Sequence, residues 1–248
     1  MHPITDIICL VHNQLPVTKG FISQLFKSTE NFRLIFVDNG STDGTNEFLT
    51  SGGDWSVISP GENLGIIKGR NLGAQSVQSD YFLNIDNDQY VNKGWLQSLH
   101  DKMSKGFDIV GCEAWKMVPP FNKTDSVVVS GSTIKDNRYF PHKRCVNPND
   151  KWTYVGCGGM LIKTEVYIKI GLFDERFSPA YFEDPDLNFR AFQAGFKIGW
   201  EPKCSINHLA HQTINIQKLF SKNPQFLQSW GRFVEKWGDY FPEYAKNK

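Results

Sequence analysis

Charge of one sign is missing from this sequence. Its 248 residues carry 27 Lys and Arg against 26 Asp and Glu, a net charge of +1. That balance argues against a dedicated nucleic-acid binder, although local patches survive such an average. Cysteine is scarce and scattered: Cys9, Cys112, Cys145, Cys157 and Cys204 form no C-x-x-C pair. A zinc ribbon or a disulfide framework is therefore not expected, and the reduced thiols of a cytoplasmic protein are. No apolar run approaches the roughly 20 residues that span a bilayer. The stretch Ile7 to Val11 is only strand length and leads into His12 and Asn13, which does not read as a signal peptide. A P-loop is excluded because G-x-x-x-x-G-K-[ST] does not occur. Internal repeats and low-complexity segments are also lacking.

What is present is a globular composition, 40% hydrophobic with 19 Phe, 8 Tyr and 7 Trp. The first 115 or so residues alternate between two patterns. Ile7–Val11 is a continuous apolar run, as for a strand buried on both faces. Phe21, Ile22, Leu25 and Phe26 recur at helical spacing. Leu34–Val37 predicts a strand ending at Asp38, and Ser41 or Thr42 a cap for a short helix carrying Phe48 and Leu49. Further strands are expected over Trp55–Ser59, Tyr81–Ile85 and Ile109–Cys112. Helices are expected over Ile66–Val77 and around Trp95, Leu96, Leu99 and Met103. This rhythm predicts an α/β fold with a mostly parallel, Rossmann-like sheet and helices on both faces. Ligands of such sheets sit beyond the carboxyl ends of the strands, where His12, Asp38 and Asp86 all fall.

From Lys116 to Lys151 the alternation fails, and Lys135 to Lys151 carries five basic and two acidic residues. This stretch reads as a solvated loop or as a flap over an anionic ligand. Regular structure returns with a strand at Met160–Ile162 and a helix capped by Thr164 and ending at Gly171. A second helix has Pro185 in its first turn and ends at Gly195, and a short strand follows at Lys197–Trp200. From Ile214 onward Leu219, Phe220, Phe226, Leu227, Trp230, Phe233, Val234 and Trp237 describe an amphipathic helical tail. Packing on the protein is the first reading of it. Peripheral membrane contact or homo-oligomerisation through the tail are the others.

Four segments can carry chemistry. Asp86-Asn87-Asp88 follows an apolar strand that already contains Asn84. Two carboxylates at a strand-to-loop turn can approach one hard cation such as Mg²⁺ or Mn²⁺, the usual partners of diphosphates. Asp38 closes a core strand, where a helix cap does not require it, and can accept hydrogen bonds from a ribose or a base edge. Glu183-Asp184 opens a helix behind Tyr181 and Phe182. Helix-dipole chemistry explains acids there, but partial desolvation by aromatic rings also suits a general base. His208 and His211 stand three apart, and one imidazole could complete a metal shell, tilting preference toward Mn²⁺.

Together these segments resemble a family 2 glycosyltransferase of the GT-A fold, closest in feel to the rhamnosyltransferase-like branch that builds bacterial polysaccharides. The likeness runs from about Thr5 to Thr213. It is carried by VDNGSTDGT at Val37–Thr45, ENLGIIKGRNLG at Glu62–Gly73, DYFLNIDND at Asp80–Asp88, and the run from Gly156 to Phe196 that contains YFEDPDL, followed by His208. The resemblance implies an inverting, metal-dependent transfer from a UDP- or dTDP-sugar to a glycan, lipid-linked or other hydroxyl acceptor. It implies a nucleotide-sugar half over 1–115, an acceptor half over 116–213 that makes the sheet mixed, and a helical extension over 214–248.

The resemblance also assigns roles. Asp38 and Arg70 would hold the nucleoside, with His12 and Asn13 at the base and Asn63 and Lys68 on the donor side. Asp86 and Asn87 would face the donor, and Asp86, Asp88 and His208 or His211 the Mn²⁺ or Mg²⁺ ion. Gly158 and Gly159 would let backbone approach the sugar. Asp184 would be the base and Glu183 would orient the acceptor. The sequence departs from the pattern at Asn84, usually apolar, and at His12-Asn13, where a base-stacking aromatic is missing. Two rivals are a sugar-phosphate nucleotidyltransferase and a non-catalytic nucleotide-sugar or glycan-binding module. The first would need a Gly-rich basic loop where His12-Asn13-Gln14-Leu15-Pro16 stands.

Overall fold

Strand β1 (Thr5–Val11) is covered on both faces, which is why its sequence is a continuous apolar run. Ile8 joins one core layer with Ile67, Phe82, Met160, Ile162 and Leu187. Ile7, Cys9 and Val11 join the other with Phe21, Leu25, Phe36, Trp95 and Leu99. The structure is a computed structural model. It describes residues 2–118, 122–129, 132–135, 138–140, 153–156, 158–209 and 223–238, with side chains left out from 114 to 153.

The chain continues through α1 (Leu15–Ser28), β2 (Phe32–Asp38), α2 (Thr45–Thr50), β3 (Trp55–Ile58), α3 (Gly65–Ala74), β4 (Tyr81–Asp86), β5 (Gln89–Val91) and α4 (Trp95–Met103). It then forms β6 (Ile109–Val118), β7 (Asn122–Val129), β8 (Ser132–Lys135), β9 (Arg138–Phe140), β10 (Thr153–Tyr154), β11 (Met160–Lys163) and α5 (Thr164–Ile170). A single 3-10 turn (Glu175–Phe177), α6 (Glu183–Gln193), β12 (Ile198–Leu209) and α7 (Pro224–Trp237) complete the described elements. The main sheet runs β3-β2-β1-β4-β11-β6-β12-β5, with β7 on β6, and β10-β8-β9 form a small second sheet. The first four strands are parallel. The parallel order ends at β11, which is antiparallel to both β4 and β6.

Two features tie the parallel half together. The buried Asp6 carboxylate accepts from Arg33 on β2 at 2.7 and 2.9 Å and from the Gln78 and Ser79 amides at 2.7 and 2.9 Å. Helix α3 lies close on β1 because Gly69 and Gly73, four apart on one face, leave room. A Cβ there would come within 2.5 Å of the Leu10 and Ile8 side chains.

Some expectations are corrected. Neither Ser41 nor Thr42 caps α2, which starts at Thr45 behind Gly44. The Ser41 hydroxyl accepts from the Asn13 amide at 2.7 Å, and Asp43 accepts from the Thr45 amide at 3.1 Å. Thr164 does not cap α5 either: it is the first helical residue, and its hydroxyl donates to the Ser79 carbonyl at 2.6 Å. The strand expected at Lys197–Trp200 is the twelve-residue β12, whose register against β6 shifts between Glu201 and Ser205. Glu201-Pro202-Lys203 interrupts the apolar pattern there, as an irregularity with proline does. In the tail, helix lies at Pro224–Trp237, and Ile214, Leu219 and Phe220 fall outside the described residues. Among the described residues no helix is long and apolar enough to cross a membrane.

His100 on α4 predicts a pH-dependent stability. Its ring bonds the Thr5 hydroxyl at 2.7 Å and stacks on His2 at 4.7 Å. Burial first, and the His2 charge second, push its pKa down to about 4. The unfolded chain binds this proton near pH 6.5 and the folded chain does not, so stability is full above 6.5 and falls as pH drops toward 4. The loss reaches about 3 kcal/mol at most. Urea unfolding at pH 7 and pH 4.5 should show it, and His100→Gln should flatten the difference. An unchanged slope in the variant would assign the acid loss elsewhere.

Candidate active site

The carboxyl ends of β2, β1 and β4 carry Asp38, His12 and Asp86 side by side. Val11 of β1 pairs with Asp38, and Leu10 pairs with Asp86 on the other side. Two inter-strand spacings place the two aspartates roughly 10 Å apart across β1. Asp38 is buried. It accepts from the Ser41 amide at 3.2 Å and from the Asn46 side chain at 2.6 Å. His12 Nδ1 bonds the Asn39 carbonyl at 2.9 Å, which fixes its donor nitrogen, and Asn13 Oδ1 accepts from the Thr42 amide at 2.7 Å. Asn39 bonds the Leu64 amide at 2.8 Å and Asn63 at 3.0 Å. The loops after β1, β2 and β3 are thus stitched into one rim, with Asn13 and Gln14 held at positive φ of 57° and 67°. Lys68 is exposed on α3, whereas Arg70, about 200° further round that helix, is buried.

Arg70 joins the two acidic sites. Its Nη2 donates to Asp86 Oδ1 at 3.0 Å, and its Nη1 lies 3.6 Å from Glu183 Oε1. The acidic turn is braced from inside by Gln89. Its Oε1 accepts from the Asp86 amide at 3.2 Å, and its Nε2 lies 3.4 Å from Asp86 Oδ2. Gly158 makes space for that brace, since a Cβ would meet Gln89 Nε2 at 2.4 Å. Gly159, at φ +75°, packs where a Cβ would strike Ile206 and Cys112. Asn87 donates to Thr18 at 2.9 Å. Asn84, on the same strand face as Asp86, is buried with neither amide atom partnered among the described residues.

Asp88 meets His208. The register that sets His208 opposite Gln89 also brings Asp88 Oδ2 to 3.2 Å from His208 Nε2. Burial would lower the His208 pKa, but the bond to Asp88 and the charges of Asp88 and Asp86 raise it overall. Among the described residues no three His, Cys, Asp or Glu side chains converge on a point that could hold a cation. The donor chemistry nevertheless fits one. Asp88 Oδ1 is buried without a hydrogen-bond partner among the described residues, beside an imidazole, as an oxygen and nitrogen pair for Mn²⁺ would be. His211, the other histidine candidate, lies outside the described residues, as does the basic stretch from 141 to 151.

Glu183 and Asp184 open α6 on the far side of Arg70. Glu183 is buried and faces Arg70. Its pKa is raised to about 7, first by burial and then by the Asp184 charge, against the pull of Arg70. Asp184 is half-buried, and both acids line a cavity with Tyr154, Tyr181, Pro185 and Phe226. Helix α7 fixes this corner. Ser229 donates to the Ala180 carbonyl at 2.8 Å, and the Phe182 ring sits 5.1 to 5.2 Å from Phe226, Trp230 and Phe233. Asp186 accepts from Trp237 Nε1 at 2.9 Å and pairs with Lys236 at 2.5 Å. Phe233 and Trp237 of the described tail are thus buried against the molecule, whereas Leu227 stays exposed.

Sequence reasoning missed Gln89, Asn39, Tyr154 and the α7 contacts. Gln89 sits in a three-residue strand too short to show a pattern, and the partners of α7 are distant in sequence.

The profile of Glycosyl transferase family 2 matches residues 6–171. An uncharacterized glycosyltransferase of Rickettsia prowazekii is 28% identical over 241 residues, covering 94% of this chain and 72% of its own. Polypeptide N-acetylgalactosaminyltransferase 4 of Mus musculus is 23% identical over 206 residues, covering 77% of this chain and 35% of its own. The crystal structure of GalNAc-T7 with UDP, GalNAc and Mn²⁺ superposes with a TM-score of 0.73 at 16% identity, covering 96% of this chain and 49% of that one. This chain thus spans about half or less of the last two proteins and nearly three quarters of the first.

Proposed function

The chain belongs to glycosyl transferase family 2, and from that premise we propose that this GT-A-fold transferase moves a sugar, with inversion, from a UDP- or dTDP-sugar to an acceptor hydroxyl in glycan synthesis, with a divalent cation. The observation that carries the reading is one buried guanidinium, Arg70, bonded to Asp86 at a strand end and facing Glu183 beside Asp184. A donor-side acid and an acceptor-side acid are thereby held on one frame. A nucleotide-binding module without catalysis would have use for Asp38 but none for Asp184.

Residues 1–115 form the donor half in this reading and 116–213 the acceptor half. Asp38, with the His12-Asn13 loop, takes the nucleoside. Asp86 and Arg70 take the sugar-diphosphate side. Asp88 and His208, with Asp86 or His211, would hold Mn²⁺ or Mg²⁺, which would supply positive charge beside the diphosphate. Asp184 accepts the proton of the acceptor hydroxyl. The hydroxyl oxygen forms the new bond to the anomeric carbon as the bond from that carbon to the diphosphate oxygen breaks. The products are the glycoside and the nucleoside diphosphate. Positioning by the stitched loops supplies much of the rest.

A nucleotide-sugar panel with MnCl₂ tests this. The cognate donor at about 100 times its Kd should stabilise the chain by about 2.7 kcal/mol, a rise in Tm of roughly 5 °C or more. EDTA should abolish the rise and the slow release of nucleoside diphosphate. If no nucleotide sugar shifts Tm or is cleaved, with or without metal, the reading fails.

A further inference from the structure

The cavity beside Asp184 has a composition that speaks to the acceptor. Its enclosed volume is about 120 Å³, below the roughly 300–1,000 Å³ of drug-sized sites, and it opens to solvent. Its walls are Tyr154, Tyr181, Phe226 and Pro185, and the only charged groups on it among the described residues are Glu183 and Asp184. Resting on the transferase reading above, we propose that this cavity is the acceptor subsite and that its occupant is a neutral sugar ring. The ring would lay its C–H face on the aromatic wall and turn a hydroxyl toward Asp184.

Three observations support that choice. A pyranose is amphipathic in the way the cavity is, with an apolar face and a rim of hydroxyls that can donate to carboxylates. A phosphate bound here would face two acids, and Arg70 beside Glu183 is already engaged by that acid and by Asp86, so an anionic group next to the reacting hydroxyl is disfavoured. The wall is also held rigidly. Tyr181 and Phe182 stand at φ 77° and 68°, a region that bulky residues occupy only where their surroundings force it. Helix α7 supplies that force. Asn223 donates to the Tyr181 hydroxyl at 3.2 Å, and the Phe182 ring is packed by Phe226, Trp230 and Phe233. A preorganised aromatic surface suits a ligand whose binding comes from shape and stacking rather than from charge.

The test uses the full chain with saturation-transfer NMR, with and without UDP and Mn²⁺. The probes are methyl hexopyranosides, the matching hexose 6-phosphates and a Ser/Thr-containing peptide. Neutral glycosides should show saturation transfer, and the phosphates should bind at least about tenfold more weakly. Phe226→Ala should weaken glycoside binding about tenfold, and Phe226→Tyr, which keeps a ring, should restore most of it. Absence of any glycoside signal, equal or better binding of the phosphate or the peptide, or indifference to Phe226→Ala would each overturn the proposal. Donor binding, read separately by the Tm shift, shows whether the transferase reading fails with it. A donor shift without glycoside binding sinks only the subsite.

Discussion

Replacing Asp184 by Asn should lower the rate of sugar transfer by about 10²–10⁴, the usual worth of a positioned general base. The substitution keeps the shape of the side chain and removes only its capacity to take a proton. The donor-induced rise in Tm should persist, because Asp38, Asp86 and Asp88 lie on other elements. Glu183→Gln is the informative contrast. Glu183 faces Arg70 at 3.6 Å, so its neutral form still fills the same space but leaves the guanidinium paired with Asp86 alone. A smaller loss is expected, with a larger share in donor KM. If Asp184→Asn transfers at the normal rate and Glu183→Gln does not, the base is Glu183, whose pKa of about 7 would suit the task.

The strand ends were legible because of how parallel strands bury. A strand covered on both faces is an unbroken apolar run, so the first polar residue after it stands out, as Asp38 and Asp86 do. What depends on register was not legible. His208 reaches Asp88 only because β12 runs antiparallel to β5, a strand of three residues, and the pairing sets His208 opposite Gln89. Local cap chemistry misled at Ser41 for a related reason: the hydroxyl that could cap α2 is used by the Asn13 amide, 28 residues earlier. The apolar spacing of α7 was visible, but not its target, the Tyr181-Phe182 turn. Arg70 emerged only through the resemblance, because a buried arginine on an otherwise ordinary helix has no periodic signature.

Arg70→Met should cost stability in a way that depends on pH. The side chain is buried, 3.0 Å from Asp86 and 3.6 Å from Glu183. Methionine keeps most of the volume and removes the charge, so packing loss is small and the effect is electrostatic. Glu183 has its pKa raised to about 7 by burial and by Asp184, with Arg70 opposing. A raised carboxyl contributes stability that is full below its unfolded value, near 4.3, and is lost as pH climbs through 7. Without Arg70 that pKa rises further, and above it the folded chain must either hold an uncompensated buried charge or bind a proton. The deficit of the variant should therefore grow by about 3 kcal/mol between pH 5.5 and pH 9. Urea unfolding across that range reads it directly. A deficit that does not change with pH would mean that Arg70 acts by packing or through its bond to Asp86 and not through Glu183. The frame joining donor-side and acceptor-side acids would then lose its physical basis.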